Sequence, residues 1–247
     1  MKSGSWPDGY GRTVLDRVDS TLTEAARRVP GLTGPEWILA HVQTAARGRR
    51  GRAWSMPEGN FAATLILPIS GQLGQAALRS FVVSLALYEA FVATTGRAEA
   101  FALKWPNDVL LREGKVAGIL LETVGAHHLA IGIGVNIIAA PSAEAVEPGA
   151  VRPVALATEL GQRITPEDFL DVLAETYARL ETQFVTYGFA PIRTAWLAHA
   201  ARLGEPITAR TTREVFHGTF ADVDADGQLV LETAQGRVTI PAGDVYF

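Results

Sequence analysis

The sequence predicts an α+β fold, with a sheet-and-helix domain over residues 1–203 and a small β-barrel over residues 204–247. Three observations carry this. Up to Leu203, apolar strand-like runs are interleaved with long segments whose apolar residues recur at helical spacing. From Gly204 the pattern changes to short strands punctuated by the turn dipeptides Asp226-Gly227 and Gln235-Gly236. With 48% apolar and 19% charged residues, the 247-residue chain has enough apolar material to fill a core of that size.

Val14, Leu15 and Val18 form a strand-like lead-in to Asp19-Ser20-Thr21. Each of those three residues is a candidate cap for the helix that follows. Glu24, three residues after Thr21, would close a capping box. The same hydroxyls and N–H groups at a helix start also suit a polar ligand. Strands are expected over 37–43 and 60–67, on either side of the segment A-R-G-R-R-G-R-A-W at 46–54. That segment holds Arg47, Arg49, Arg50 and Arg52 with Gly48 and Gly51. Its guanidinium forks and glycine backbone suit phosphate or carboxylate, the competing reading being a solvated basic loop. Gln43 stands at the loop's mouth, where an amide both donates and accepts.

Residues 75–95 read as a core helix, with Leu78, Phe81, Val82, Leu85, Tyr88 and Val92 on one stripe. Then comes K-W-P-N-D at 104–108. Pro106 forbids a regular central strand, so Lys104, Asn107 and Asp108 lie where the chain bends, either facing a site or forming the turn. A hairpin turn at 112–115 leads into a strand over 115–122. Lys115, at its head, either points into a pocket or snorkels, and Gly118 marks close approach of backbone or ligand. In the strand 128–135, Gly132 and Gly134 alternate with isoleucines, leaving one face bare for something flat or for a bulge. A surface loop over 139–149 precedes a short helix over 152–160. A longer helix follows, with Thr165 as N-cap, Pro166 at N1 and the stripe Phe169, Leu170, Leu173, Tyr177, Leu180 and Phe184. A last helix is expected over 191–203, and barrel strands over 206–210, 215–223, 228–232 and 237–241.

Composition narrows the function. A net charge of −4 argues against a dedicated nucleic-acid binder, so the basic loop is a local feature suited to a small anion. The chain has no cysteine, which removes disulfides, zinc–thiolate sites and a thiol nucleophile, and fits a cytoplasmic protein. No signal-peptide run opens the sequence. Residues 75–95 carry Arg79 and Glu89, so they are expected to be buried in a soluble protein and not to span a membrane.

Taken in order, D-S-T at 19–21, the R-G-R-R-G-R loop with Trp54, K-W-P-N-D at 104–108, K-x-A-G-I-L-x-E at 115–122 and G-x-G-x-N at 132–136 resemble the biotin–protein ligases over the whole chain. The resemblance implies a mixed/antiparallel-sheet catalytic domain of the biotin/lipoate ligase type with an SH3-like C-terminal barrel. It implies two steps: the carboxylate of biotin attacks the α-phosphate of ATP with Mg²⁺ to give biotinyl-5′-AMP, which then acylates a lysine of a biotin carboxyl carrier protein. No tightly bound cofactor is required. Ser20, Thr21 and Gln43 would bind the ureido end. The Arg47-Gly48-Arg49 backbone would close over the carboxylate and adenylate, with Arg49 holding the intermediate. Arg52 would contact phosphate, and Trp54 and Asn136 the adenine end. Lys115 would bridge carboxylate and α-phosphate, and Gly118, Gly132 and Gly134 would keep the strand face bare. Lys104, Asn107 and Asp108 would shape the site, Asp108 serving Mg²⁺ or the acceptor lysine. A lipoate ligase on the same fold and a non-catalytic biotin-binding module are the alternatives.

Two positions depart from the family pattern. Leu22 stands where an Asn is usual, and Ala46 where a Gly is usual. If position 46 needs a positive φ, alanine there costs about 1 kcal/mol. Some relatives carry an N-terminal winged helix. Here D-S-T begins at residue 19, so no specific DNA binding is expected. The basic loop is expected to order on ligand binding. The family also uses sheet-edge homodimers.

Overall fold

The computed structural model describes residues 6–69, 73–142, 145–147 and 149–247. Residues 1–5 and parts of the 139–149 loop lie outside the described residues. The described residues form a seven-stranded sheet and a five-stranded sheet, with helices packed against the larger one.

The large sheet contains β1 (Gly11–Val18), β2 (Glu36–Gln43), β3 (Phe61–Pro68), β4 (Phe101–Lys104), β5 (Asp108–Leu111), β6 (Gly114–Val124) and β7 (His128–Val135). Its order is β1-β2-β3-β7-β6-β5-β4, with β1 parallel to β2 and every other pair antiparallel. One face is deeply apolar. Phe61, Ala63 and Leu65 of β3 and Ile131, Ile133 and Val135 of β7 share a core with α3 (Arg79–Thr95) and α5 (Pro166–Tyr187). The expected stripe of α5 is buried, and Thr165 caps it as predicted, accepting from Asp168 N at 3.1 Å. The apolar segment Gly74–Thr95 is long enough to cross a membrane, but 67% of its most apolar window is buried, as befits a core helix. It divides at Leu78 into α2 (Leu73–Ala77) and α3. The opposite sheet face carries α1 (Thr21–Arg28) at one end and is open at the other.

Several boundaries differ from expectation for identifiable reasons. The helix expected over 152–160 is only α4 (Leu156–Leu160). Residues 152–154 stay extended because Lys115 N donates to Arg152 O and Val154 N to Lys115 O, and Pro153 disfavours helix at Arg152. The last helix, α6, spans Phe189–Leu197 and stops short because His199 N, Ala201 N and Leu103 N form turn and bridge bonds. No capping box forms at α1. Thr21 lies inside the helix with its hydroxyl engaged elsewhere, and Glu24 pairs with Arg27 and Arg28.

The C-terminal strands are β8 (Pro206–Arg210), β9 (Val215–Val223), β10 (Leu229–Thr233), β11 (Gly236–Ile240) and β12 (Asp244–Tyr246), the last unforeseen. They form one antiparallel sheet in the order β11-β10-β9-β8-β12, whose ends do not pair, so the predicted barrel is not closed. Ile207, Phe220, Leu229, Leu231 and Val245 belong to the same continuous core as α3 and α5. The Asp226-Gly227 turn presses on α3: Gly227 has φ +78°, and a Cβ there would lie 2.8 Å from Phe81. Trp105 Nε1 donates to Gly227 O at 3.0 Å.

Candidate active site

The open sheet face is laid out in cross-strand rows. Lys104 pairs with Asp108, Asp108 with Gly118, Gly118 with Gly134, and Gly134 with Ala62. The next row runs Leu120, Gly132, Thr64, Ile38. Polar groups thus sit at the β4–β5 end, and glycines or small residues in the middle.

Lys115 joins this face through an irregularity the sequence did not disclose. On β5, Val109 pairs with Ala117 and Leu110 with Lys115, so Val116 is an extra residue. Strict alternation would set Lys115 and Gly118 on opposite faces. The bulge turns Val116 and Ala117 both into the core and leaves Lys115 beside Gly118, where a Cβ would lie 3.3 Å from Lys115 Nζ. Lys115 Nζ lies 2.6 Å from Asp108 Oδ1. Burial pushes the Asp108 carboxyl up, but Lys115, Lys104 and Arg49 outweigh it and hold the group below the usual carboxylate range. Burial, reinforced by Lys115 and Arg49, lowers Lys104 despite the opposing pull of Asp108 and Asp244.

Trp54 is the flat group expected over the bare strand. A Cβ on Gly134 would lie 2.4 Å from Trp54 Cε2, and one on Gly118 would lie 3.1 Å from its Cζ3. Any side chain at Gly134 therefore evicts the indole. Lys115 Nζ stands 5.6 Å over the same ring. Next to it, Asn136 is buried and fixed by three bonds: N to Val116 O, O from Leu156 N, and Nδ2 to Val154 O. Its Oδ1 has no donor among the described residues. A buried amide acceptor beside an indole suits an aromatic amine.

At the other end, Thr21 N donates to Gln43 Oε1 at 2.8 Å, and Thr64 Oγ1 donates to Thr21 Oγ1 at 2.8 Å. Gln43 has its carbonyl engaged by Thr21, so its NH₂ is the group left to meet a ligand among the described residues. Ser20, Thr21 and Leu22 are buried, and Leu22 lies over Gly132, at 2.8 Å from a Cβ placed there. With Ala25, Ile38, Ile66 and Ala130 it belongs to a small buried core under α1, and it is the member that lines the cavity, where an amide was usual.

The basic loop folds over the cavity as a small hairpin. Arg47 and Ala53 form an antiparallel bridge, Gly48 N donates to Arg52 O at 2.7 Å, and Trp54 N donates to Ala46 O at 3.0 Å. Ala46 has a negative φ, so the anticipated strain is absent; Arg50, at φ 57°, takes the left-handed position instead. The guanidinium of Arg47 holds both carboxylate oxygens of Glu122, at 3.0 and 2.7 Å, and donates to Thr23. This pairing raises its pKa. Arg49 donates to Asn107 Oδ1, Asp244 Oδ1 and Gly243 O, each at 3.2 Å. Asn107 in turn donates from Nδ2 to Ile119 O at 2.6 Å.

These groups line one cavity of about 870 Å³. It brings together every site residue named from the sequence: Ser20, Thr21, Leu22 and Gln43 at one end; Arg47, Gly48, Arg49, Arg52 and Trp54 above; Lys104, Asn107, Asp108, Lys115, Gly118, Gly132, Gly134 and Asn136 across the sheet. Sequence reasoning missed Asp244, Val245 and Tyr246, which reach the cavity from β12. Nothing about a lone acid near the C-terminus marks it. Among the described residues no three His, Asp or Glu side chains converge as a metal cage, and Asp108 is already paired with Lys115. The described residues thus form no all-protein metal cage; a Mg²⁺ carried by nucleotide phosphates needs only one or two carboxylates.

The description "Biotin/lipoate A/B protein ligase family" matches residues 14–136, and "Biotin protein ligase C terminal domain" matches residues 203–247. The chain is 55% identical over 238 residues to the biotin–[acetyl-CoA-carboxylase] ligase of Paracoccus denitrificans, covering 95% of this chain and 99% of that one. It is 30% identical to the bifunctional ligase/repressor BirA of Escherichia coli, covering 91% of this chain and 70% of that one. In fold it is similar to the biotin protein ligase of Aquifex aeolicus solved with biotin and ATP, with a TM-score of 0.81 at 24% identity, covering 95% and 97% of the two chains. The matching motifs, their meeting in one cavity and the near full-length relative at 55% identity all agree: the chain belongs to the biotin/lipoate A/B protein ligase family.

Proposed function

We propose that this protein activates biotin with ATP as biotinyl-5′-AMP and transfers the biotinyl group to a lysine of a biotin carboxyl carrier protein. The observation that carries this reading is the order of groups along the cavity: a polar, apolar-walled end at Thr21 and Leu22, a cluster of cations at Lys115 and Arg49, and an indole beside a free amide acceptor at Trp54 and Asn136. That order follows the layout of the adenylate itself, from ureido ring through acyl phosphate to adenine.

The first step asks two anions to react. A carboxylate oxygen of biotin forms a bond to the α-phosphorus while the bond to the bridging oxygen of pyrophosphate breaks. The main task is positioning and charge neutralisation, so no protein nucleophile is needed. Lys115 would lie between carboxylate and α-phosphate, with Asp108 fixing its ammonium. Arg49 and the Arg47-Gly48 backbone would close over the acyl phosphate, and Arg52 would meet the leaving phosphates. Ser20, Thr21 and the Gln43 amide would take the ureido group, and Leu22 and Gly132 would accommodate its apolar part. Mg²⁺ enters with ATP as part of the nucleotide substrate. In the second step an acceptor lysine attacks the acyl carbon and AMP leaves; Asp108 would attract that lysine or serve the Mg²⁺ of the nucleotide.

We further read residues 1–203 as the catalytic unit and 204–247 as its SH3-like partner, and place the reaction in the cytoplasm, without DNA or membrane. A homodimer joined at a sheet edge, as the family resemblance implies, is tested by sedimentation: a monomer would refute it. The function is tested by incubating the protein with biotin, ATP and a purified carrier domain. A mass increase of one biotinyl group on a single lysine is expected; an unmodified carrier would contradict the reading.

A further inference from the structure

The loop arginines have unequal partners. Arg47 is tied to Glu122 at the loop's base, and Arg52 reaches Glu147, half-exposed, at 3.1 Å. One carboxylate, by contrast, faces three guanidinium groups. Asp244 Oδ1 lies 3.2 Å from Arg49, and Oδ2 lies 2.7 Å from Arg50 and 3.6 Å from Arg52. Asp244 lines the cavity, and its Oδ2 is buried without an aligned hydrogen-bond donor among the described residues. Three cations around one anion, in a site whose proposed ligand carries a phosphate chain, leave that anion competing with the ligand. Its short side chain comes from β12 in the C-terminal sheet, whereas the arginines belong to the catalytic domain's loop.

We propose that Asp244 is an intramolecular stand-in for nucleotide phosphate. Its carboxylate neutralises Arg49, Arg50 and Arg52 while the site is free of nucleotide, and an incoming phosphate chain displaces it. Asp244 is thus a positioning residue that sets how readily the site takes phosphate. The inference rests on the adenylating function proposed above.

The test is binding of inorganic pyrophosphate, and of ATP, to Asp244→Asn by calorimetry. If Asp244 competes, Asp244→Asn binds both about 10-fold more tightly than wild type, equivalent to about 1.4 kcal/mol. Asp244→Glu, which keeps the anion, should remain near wild type. Unchanged or weaker pyrophosphate binding by a folded Asp244→Asn would overturn the proposal, because a mere anchor for the loop would be lost without any gain in affinity. Trypsin supplies a second reading that uses no nucleotide, so it stands even if the protein fails to activate biotin. Cleavage after Arg49, Arg50 and Arg52 should be several-fold faster in Asp244→Asn and in a second variant, Asp244→Ser, and return to the wild-type rate with saturating pyrophosphate. Equal cleavage in all three proteins would contradict the latch.

Discussion

Lys115 is the residue on which the proposed chemistry turns. Its ammonium is held by Asp108 and stands over Trp54, at the junction of the cavity's two ends. Lys115→Ala is expected to slow adenylation at least about 100-fold while leaving the fold intact; near-normal turnover would remove Lys115 from its role. Asp108 carries a pH signature. Because its carboxyl is held below its unfolded value, it stabilises the fold fully above the ordinary carboxylate range, and that stability is lost as pH falls through the folded value. The difference in melting temperature between wild type and Asp108→Asn should therefore shrink as pH falls below about 4. A difference independent of pH would show that Asp108 contributes no such linkage. These side chains were legible in the sequence because a Lys, an Asn and an Asp around Pro106 must sit at a break in the sheet. That Lys115 faces Asp108 was not legible: Val116 reads as an ordinary apolar strand residue, and only the register with β5 reveals it as a bulge.

At the scale of elements, the basic loop and the glycine strand work as a pair. Gly134 admits the indole of Trp54, and a methyl there would force that ring to move. Gly134→Ala should cost about 1–3 kcal/mol of stability, as overpacking does. It should also raise KM for ATP more than KM for biotin, since the indole lies beside Asn136 and away from Thr21. Steady-state kinetics with each substrate varied in turn would decide this, an equal rise in both arguing against a nucleotide role for Trp54. Arg49 closes the loop onto Asn107 and β12. Arg49→Gly should release biotinyl-AMP, seen as biotinylation of bystander lysines; retention of the intermediate would contradict its capping role. The alternation of glycine and isoleucine in β7 left one face bare for a flat group or a bulge, and the indole of Trp54 is what lies there. The like charges of the loop suggested a segment ordered by ligand. The acids that meet those charges come from β6, β12 and the 139–149 loop, and pairing across such distances leaves no local pattern to read.

For the whole molecule, the C-terminal sheet shares its core with the large domain. Val245 and Leu229 are buried in the same cluster as Leu85 and Phe169, and Gly227 is wedged against Phe81. Deleting residues 204–247 should therefore leave a protein that melts at lower temperature or aggregates, and the intact chain should unfold in one calorimetric transition. Two separated transitions would show independent stability. The shift in pattern after Gly204 made this sheet legible. Its openness and its reach into the cavity were not, because β12 is three residues long and its Asp244 has no sequence neighbour that explains it.

The central claim is that the cavity joins biotin to the α-phosphate of ATP. Its most direct test is ATP–pyrophosphate exchange on the purified chain, with biotin, lipoate and octanoate supplied separately. Exchange is expected with biotin and not with the other two acids. Exchange driven by lipoate, or no exchange with biotin, would contradict it.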